Sequence, residues 1–293
     1  MSILTPAGFS APALEVASEK IDDEFEYSPA DFQRIRSLIY EHAGINLHPG
    51  KHAMVYSRVS RRLRATGHKS FGNYLKALQS GKGNAADEEW QEFVNCLTTN
   101  LTSFFREGHH FVELSKALAA HGNEPIRIWC NAASTGEEPY SLAMTVVETL
   151  GPRAPVKIIG SDIDTQVLAT ARAGIYSAEA RGLSPERLQQ HFLRGKGENI
   201  GRIRIRPEVA RFVEFQTHNL MDSHWSLGEP FDYVFCRNVM IYFDDKSQRE
   251  VLQRIHATMK PRSTLFVGHS ENFTDSKDLF ILQGKTVYVR TKK

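Results

Sequence analysis

Apolar positions recur three and four residues apart through the first third of the chain, which predicts helices. Phe32, Ile35, Ile39 and Ala43 share one face of a helix that Ser28-Pro29 opens and Gly44 closes. A second helix starts at Pro49, carries Val55, Val59 and Leu63 on one face, and stops at Gly67. Phe71, Tyr74, Leu75 and Leu78 give a short third helix, Gly81 and Gly83 a loop, and residues 87–97 a fourth. Another helix is expected over residues 110–120. From Ile126 the rhythm changes. Short apolar runs at 126–130, 156–160, 233–236 and 264–267 read as buried strands, and they alternate with helical stretches at 138–150, 165–173 and 246–259. Such alternation predicts a parallel sheet with helices on both faces.

One stretch breaks the alternation. Residues 192–194, a turn with Gly195, Gly197 and Gly201, residues 202–206 and residues 211–215 show period-two patterning, which predicts a small antiparallel sheet inserted over about 192–216. Residues 286–290 read as a last strand. The expected organisation is an acidic flexible tail at 1–27, an all-α domain at 28–98, a linker with a helix at 99–122, and an α/β domain at 123–293.

Charge sharpens that division. Residues 15–26 hold six acids against Lys20 alone, a solvated tail by composition. Residues 31–82 hold ten Lys and Arg against Asp31 and Glu41, although the whole chain carries only +2. Cys96, Cys130 and Cys236 form no CxxC, so a disulfide framework or a zinc site is not expected. No apolar run approaches the ~20 residues of a membrane span, and the amino terminus lacks a secretory pattern. These features predict a cytoplasmic protein with no direct membrane insertion.

The most informative stretch is Ile128-Trp-Cys-Asn-Ala-Ala-Ser-Thr-Gly-Glu-Glu-Pro-Tyr-Ser141. A buried strand breaks at small residues and Gly136. A helix follows, with Ser134 or Thr135 expected as its N-cap, acids in the first turn and Pro139 where a missing N–H costs nothing. Nucleotide-like ligands bind at such a place, beyond the carboxyl end of a parallel strand. The loop has no Gly-rich phosphate cradle, and Glu137 and Glu138 would repel a phosphate. A ligand with ribose, positive charge and no phosphate fits, and S-adenosylmethionine is one. Glu137, beside Gly136, is expected to meet the cationic amino-acid part, and Glu138 only the helix dipole. Alone, Asp162 reads as a cap or a solvated acid. Behind this motif it reads as the acid that binds ribose hydroxyls, with Asp164 as the cap of the next helix.

The motif resembles that of the chemoreceptor glutamate methyltransferases of bacterial chemotaxis, the CheR family. Four further segments agree with that family in order: Thr98-Thr-Asn-Leu-Thr-Ser-Phe-Phe-Arg106, Gly160-Ser-Asp-Ile-Asp164, Phe235-Cys-Arg-Asn-Val-Met-Ile-Tyr-Phe-Asp244 and Gly268-His-Ser-Glu-Asn-Phe273. The resemblance implies an S-adenosylmethionine-dependent methyltransferase domain of nucleotide-binding type, with a mixed, mostly parallel seven-stranded sheet. An inserted antiparallel β-subdomain and a preceding all-α domain complete the fold. The implied reaction gives glutamate methyl esters on chemoreceptors and S-adenosylhomocysteine. Asn100, Thr102 and Arg106 then line the cofactor pocket, Arg106 also assisting transfer. Asn219 and Leu220 match positions at the adenine, Arg237 and Asn238 positions at the methionine part, and Tyr242 the position beside the reacting methyl. The family segment around His269 has no role derivable from its residues. Asn131 departs from a usually small, nonpolar position. An amide there can bond backbone, contact the cofactor or obstruct it.

A glutamate side chain is already an anion at neutral pH, so no triad or metal is expected. Holding the reactants in line and excluding water suffices. The basic second helix, with Arg58, Arg61, Arg62 and Arg64, is the candidate face for acidic receptor helices; a plain solvated face is the alternative. Its aromatics sit at core spacing rather than among the arginines, which argues against nucleic acid. The inserted sheet offers an edge to a receptor tail peptide, as in some family members, and is otherwise structural. A monomer is expected.

Overall fold

The computed structural model of the protein describes residues 24–122 and 124–292. The acidic stretch expected to be a free tail lies mostly outside them. Its last residues, however, are packed. Phe25 is buried in the helical core and its N–H donates to the Tyr56 hydroxyl at 3.3 Å. The described end of that stretch is therefore packed rather than free, because Phe25 is apolar and Glu24 pairs with Arg64.

Four helices form the first layer: α1 (Pro29–Ala43), α2 (His52–Thr66), α3 (Phe71–Ser80) and α4 (Asn84–Leu97). Ser28 and Asp31 make a reciprocal capping box at α1, and Gly44 closes it at φ 69°, a left-handed conformation that glycine adopts without strain. Pro49 starts a 3₁₀ turn, and α2 proper follows it. Ile35, Ile39, Val55, Val59, Leu63, Phe71, Leu75 and Phe93 fill the centre of this bundle.

Helix α5 (His109–Ala120) leads into β1 (Ile126–Cys130), α6 (Glu137–Leu150), β2 (Val156–Asp162) and α7 (Thr165–Ala173). Next come β3 (Ile175–Ser177), α8 (Pro185–His191), β4 (Phe192–Arg194), β5 (Arg202–Ile205) and the short α9 (Pro207–Ala210). The chain then forms β6 (Val213–Thr217), β7 (Phe231–Cys236), α10 (Asp245–Thr258), β8 (Met259–Val267), β9 (Phe280–Gly284) and β10 (Val287–Arg290). Seven strands make one sheet in the order β6-β2-β1-β7-β8-β10-β9. β6, β2, β1, β7 and β8 are parallel, and β10 runs antiparallel to both β8 and β9. Separate apolar clusters cover its two faces, one built with α5 and α6, the other with α10.

The small sheet needs a correction. It consists of β3, β5 and β4, all antiparallel. Residues 211–215 do not join it. They lead into β6, which pairs parallel with β2 from Ile158↔Val213 to Asp162↔Thr217. The missing third strand is β3, directly after α7. Strand β6 lies at the edge of the large sheet and is only half covered, so its side chains alternate as in an antiparallel ribbon. Period-two patterning reports half-burial and does not say which sheet a strand joins.

The helical layer docks over the carboxyl ends of the parallel strands. Asn46 N–H donates to Tyr242 O (2.8 Å), Asn219 Nδ2 to His42 O (2.7 Å) and Gln91 Nε2 to Ile163 O (2.9 Å). Tyr40 donates its hydroxyl to Asp244 Oδ2 (2.6 Å). Gly44 lies so close that a Cβ would come within 2.8 Å of Met221 Sδ.

Candidate functional site

A cavity of about 370 Å³ opens between the helical layer and the ends of β1, β2 and β7, within the size range of small-molecule sites. The segment 98–106 forms one wall. The turns after β1, β2, β6 and β7 form the rest, and Leu47, Met54 and Leu97 of the helical layer add an apolar side.

The turn after β1 is shaped by Gly136, at φ 98°. A Cβ there would lie 2.7 Å from the Tyr176 hydroxyl and 3.0 Å from Ala171 Cα, so only glycine lets α6 start at this angle. Gly136 is itself the N-cap; neither Ser134 nor Thr135 caps the helix as expected. Asp162 is the reason. Its Oδ2 accepts the Ser134 N–H at 2.8 Å and pulls the turn toward β2, with Ser134 held at φ 49°. The other oxygen, Oδ1, accepts the Asp164 N–H at 3.0 Å. Burial pushes the Asp162 carboxyl up to about 6, despite these N–H donors. Asp164 caps α7 as expected, accepting from Gln166 and Val167. Its Oδ2 also accepts from Thr98 Oγ1 (2.6 Å) and Asn100 Nδ2 (2.8 Å), which ties the linker to the sheet.

Behind β7 lies a buried ion triad. Arg237 pairs with Glu138 at 2.5 Å and with Glu107 at 3.2 Å, and donates from Nη2 to Arg106 O at 2.5 Å. Burial opposes the guanidinium charge, but the two carboxylates hold it firmly protonated. Burial also raises Glu107, and Arg237 then brings it below its ordinary value. Next to Arg237, Asn238 stands at φ 58°. Glu271 fixes this turn. Its buried carboxylate accepts four backbone N–H groups: Gly268 (2.6 Å), Asn238 (2.9 Å), Val239 (2.9 Å) and Met240 (2.8 Å). A Cβ at Gly268 would lie 2.4 Å from Asn238 Nδ2, so that glycine leaves room for the amide.

Of the residues expected from sequence, Asn100, Thr102, Arg106, Asp162, Asn219, Leu220, Arg237, Asn238 and Tyr242 all line this one cavity. Glu137 is not brought to it. Its carboxylate accepts from Thr135 Oγ1 at 2.6 Å, and burial raises its pKa. Its neighbour Glu138, expected to serve only the helix dipole, lines the cavity instead. The left-handed Gly136 sets the phase of α6, and sequence could not choose between adjacent acids. Asn219 has both amide ends engaged, Nδ2 on His42 O and Oδ1 on Met221 N–H. Asn131 lines the cavity with only 3% of its surface exposed, and neither end of its amide finds a hydrogen-bond partner. Arg237 Nε is likewise unpartnered. Such groups cost about 1–3 kcal/mol each when buried unmatched, so the cavity is built for a polar ligand.

The four arginines of α2 lie outside it. Arg58 donates to Thr98 O (2.6 Å), Arg62 pairs with Glu89 (2.5 Å) and Glu92 (3.3 Å), and Arg64 pairs with Glu24 (2.7 Å). Arg61 is exposed and makes no ion pair among the described residues.

S-adenosylmethionine suits this donor set. Asp162 offers acceptors for ribose hydroxyls, Glu138 and Arg237 offer both signs of charge for an amino-acid zwitterion, and the orphaned Asn131 amide offers a donor and an acceptor. No phosphate-binding cradle competes.

Comparison with known proteins agrees. A family model described as the CheR methyltransferase SAM-binding domain matches residues 100–289, and one described as the CheR methyltransferase all-alpha domain matches residues 30–98. The chain is 50% identical over 269 residues to the chemotaxis protein methyltransferase of Salmonella typhimurium, covering 90% of this chain and 91% of that protein. It is 49% identical over 276 residues to the protein of that name in Escherichia coli, covering 93% and 95%. It is 47% identical over 273 residues to chemotaxis protein methyltransferase 2 of Pseudomonas aeruginosa, covering 91% and 95%.

Proposed function

The chain belongs to the CheR family, an S-adenosylmethionine-dependent methyltransferase acting in chemotaxis, and from that premise we propose how its residues divide the work. The acceptors are glutamate side-chain carboxylates of chemoreceptors. The bound cofactor supplies an electrophilic sulfonium methyl, which an ionised carboxylate accepts without acid or base help. Asp162 binds ribose. Glu138, Arg237 and Asn238 hold the amino-acid part, and Leu220 with the Asn219 backbone borders the adenine. Asn100 and Thr102 close the pocket from the linker side. Glu137 supports the start of α6 from outside the cavity.

Arg106 and Tyr242 stand at the reacting end. Arg106 Nη1 donates to Leu101 O at 3.0 Å and keeps its other donors for an incoming carboxylate. Tyr242 positions the methyl, and its backbone carbonyl is fixed by the Asn46 N–H. Water is kept out by Leu47, Met54 and Leu97, and by Leu101, which is 82% exposed at the rim and becomes covered when a receptor helix docks. Helix α2 presents Arg61 to that acidic helix. A receptor tail peptide adds to the β4 edge of the small sheet, beside the exposed Leu193. The protein works as a cytoplasmic monomer, with the helical domain at 28–98, the linker at 99–122 and the catalytic domain at 123–293. No helix among the described residues is long and apolar enough to cross a membrane.

The observation that carries this reading is the convergence of Asp162, Glu138–Arg237, Arg106 and Tyr242 on one cavity. Incubation with methyl-labelled cofactor and receptor-containing membranes should label the receptor, and mild base should release the label as methanol. Base-stable label would rule out a carboxyl ester.

A further inference from the structure

Asn131 is the first residue beyond β1, and backbone bonds fix its place. Its N–H donates to Phe235 O on β7 (3.1 Å), while the Ala133 N–H donates to Ser161 O on β2 (2.9 Å). Asn131 therefore stands on the β7 side of the turn, next to the strand that leads into Arg237 and Asn238. The chain crosses toward Asp162 only afterwards. The side chain is 97% buried, lines the cavity and has both amide ends unmatched. The buried Cys236 thiol contacts the amide closely enough to ease its own burial, and the two do not reach full hydrogen-bond geometry. Native proteins rarely leave a buried amide in this condition unless something outside the chain completes it.

Three parts of an S-adenosyl ligand could match a donor and an acceptor together: the adenine edge, the ribose hydroxyls, and the α-carboxylate with the α-ammonium. The adenine falls to Asn219 and Leu220, which follow β6 on the far side of β2 from β7. The ribose falls to Asp162, at the end of β2. On the β7 side the neighbours are Glu138, Arg237 and Asn238, the groups suited to a zwitterion. Resting on the cofactor assignment above, we infer that the Asn131 amide hydrogen-bonds the amino-acid part of the bound cofactor and of its product. Asn131 is thus a binding residue of this chain, and its amide is poised for the ligand rather than for the fold.

Calorimetry with two probes tests this. S-adenosylhomocysteine carries the amino-acid part; 5′-methylthioadenosine keeps the nucleoside and thioether but lacks it. Asn131→Ala should bind S-adenosylhomocysteine about tenfold more weakly, as expected for one or two lost hydrogen bonds to charged groups. Its binding of methylthioadenosine should stay within about twofold of wild type. Asn131→Ser, which retains one hydroxyl, should fall between. Without ligand, both variants should melt no lower than wild type, because no internal hydrogen bond is removed. Unchanged S-adenosylhomocysteine binding in Asn131→Ala overturns the inference. So does an equal loss for both probes, which would mean that only cavity shape had changed, and so does a ligand-free melting temperature several degrees lower in both variants. A wild type that binds neither probe would instead refute the cofactor assignment itself.

Discussion

The arginines of α2 and the polar groups at the ends of β1, β2 and β7 are both dense clusters of charge, yet they leave their hydrogen-bonding capacity in opposite conditions. On α2, Arg58, Arg62 and Arg64 are matched by Thr98 O, Glu89 with Glu92, and Glu24. In the cavity, the Asn131 amide and Arg237 Nε are unmatched, Asp162 is buried against its charge, and Ser134 and Asn238 hold left-handed backbone. A closed cluster stabilises the chain that contains it. An open and strained one is stabilised by something that arrives. Charge density alone, the only property visible before folding, does not separate the two.

The sharpest way to break this comparison is to remove the support under the open cluster. Glu271→Ala leaves four backbone N–H groups without an acceptor at the turn that carries Arg237, Asn238 and Tyr242. At about 1–3 kcal/mol for each orphaned group, less whatever water recovers, the loss should be several kcal/mol and the melting temperature should fall by about 5 °C or more. Methyl transfer should fall at least ~100-fold, since the turn no longer holds its geometry. Glu271→Gln keeps one acceptor oxygen and should lie between. Single-turnover rates and melting curves decide it; full activity in Glu271→Ala would show that the turn holds itself.

Glu271 also marks where sequence stops being legible. Its segment, Gly268 to Phe273, matches the family, yet no pattern along the chain tells a carboxylate that caps a distant turn from one that faces water. Three of its four bonds reach residues 31 to 33 positions away and exist only after β7 and β8 pair. The strands and helices were readable because burial imposes a period on neighbouring residues. That Asp162 and Arg106 would line one cavity was readable because several short segments agree with one family in order. Which of Glu137 and Glu138 lines the cavity depended on the turn at one left-handed glycine, and β3 was too short to show a period. The condition of the α2 arginines depended on acids from α4 and from the stretch before α1.

A second test uses pH. In the ligand-free protein the Asp162 carboxyl titrates at about 6, raised by burial. Ribose hydroxyls donating to it favour the ionised form, so binding lowers that pKa and releases a proton wherever Asp162 began protonated. S-adenosylhomocysteine should bind more tightly as pH rises from about 5 to 7, by up to about tenfold, and then level off. The same raised pKa stabilises the ligand-free fold below the ordinary carboxylate range, and that contribution is lost as pH rises through about 6. Asp162→Asn should bind more weakly at pH 7 and lose the pH dependence. Calorimetry in buffers of different ionisation enthalpy counts the proton directly; an affinity flat from pH 5 to 7 would remove Asp162 from the ribose.

The smallest effect belongs to α2, where two adjacent arginines should behave differently. Arg62 faces Glu89 and Glu92, and its side chain is 20% exposed. Arg62→Glu would set three carboxylates together, so the helical layer should lose about 1 kcal/mol and a few degrees of melting temperature, with any loss of methylation following from that. Arg61 is exposed and makes no ion pair among the described residues. Arg61→Glu should leave the melting curve and cofactor binding unchanged, and should slow methylation of receptor about two- to threefold at low salt. Raising ionic strength to 0.5 M screens exposed charges beyond a few ångströms and should bring wild type down to the variant. Methylation rates for the two variants across a salt series, each beside its melting curve, therefore separate recognition from folding on one helix face. If Arg61→Glu methylates receptor at the wild-type rate at every salt concentration, α2 contributes only to its own domain, and receptor recognition lies nearer the cavity rim at Leu101 and Ile241.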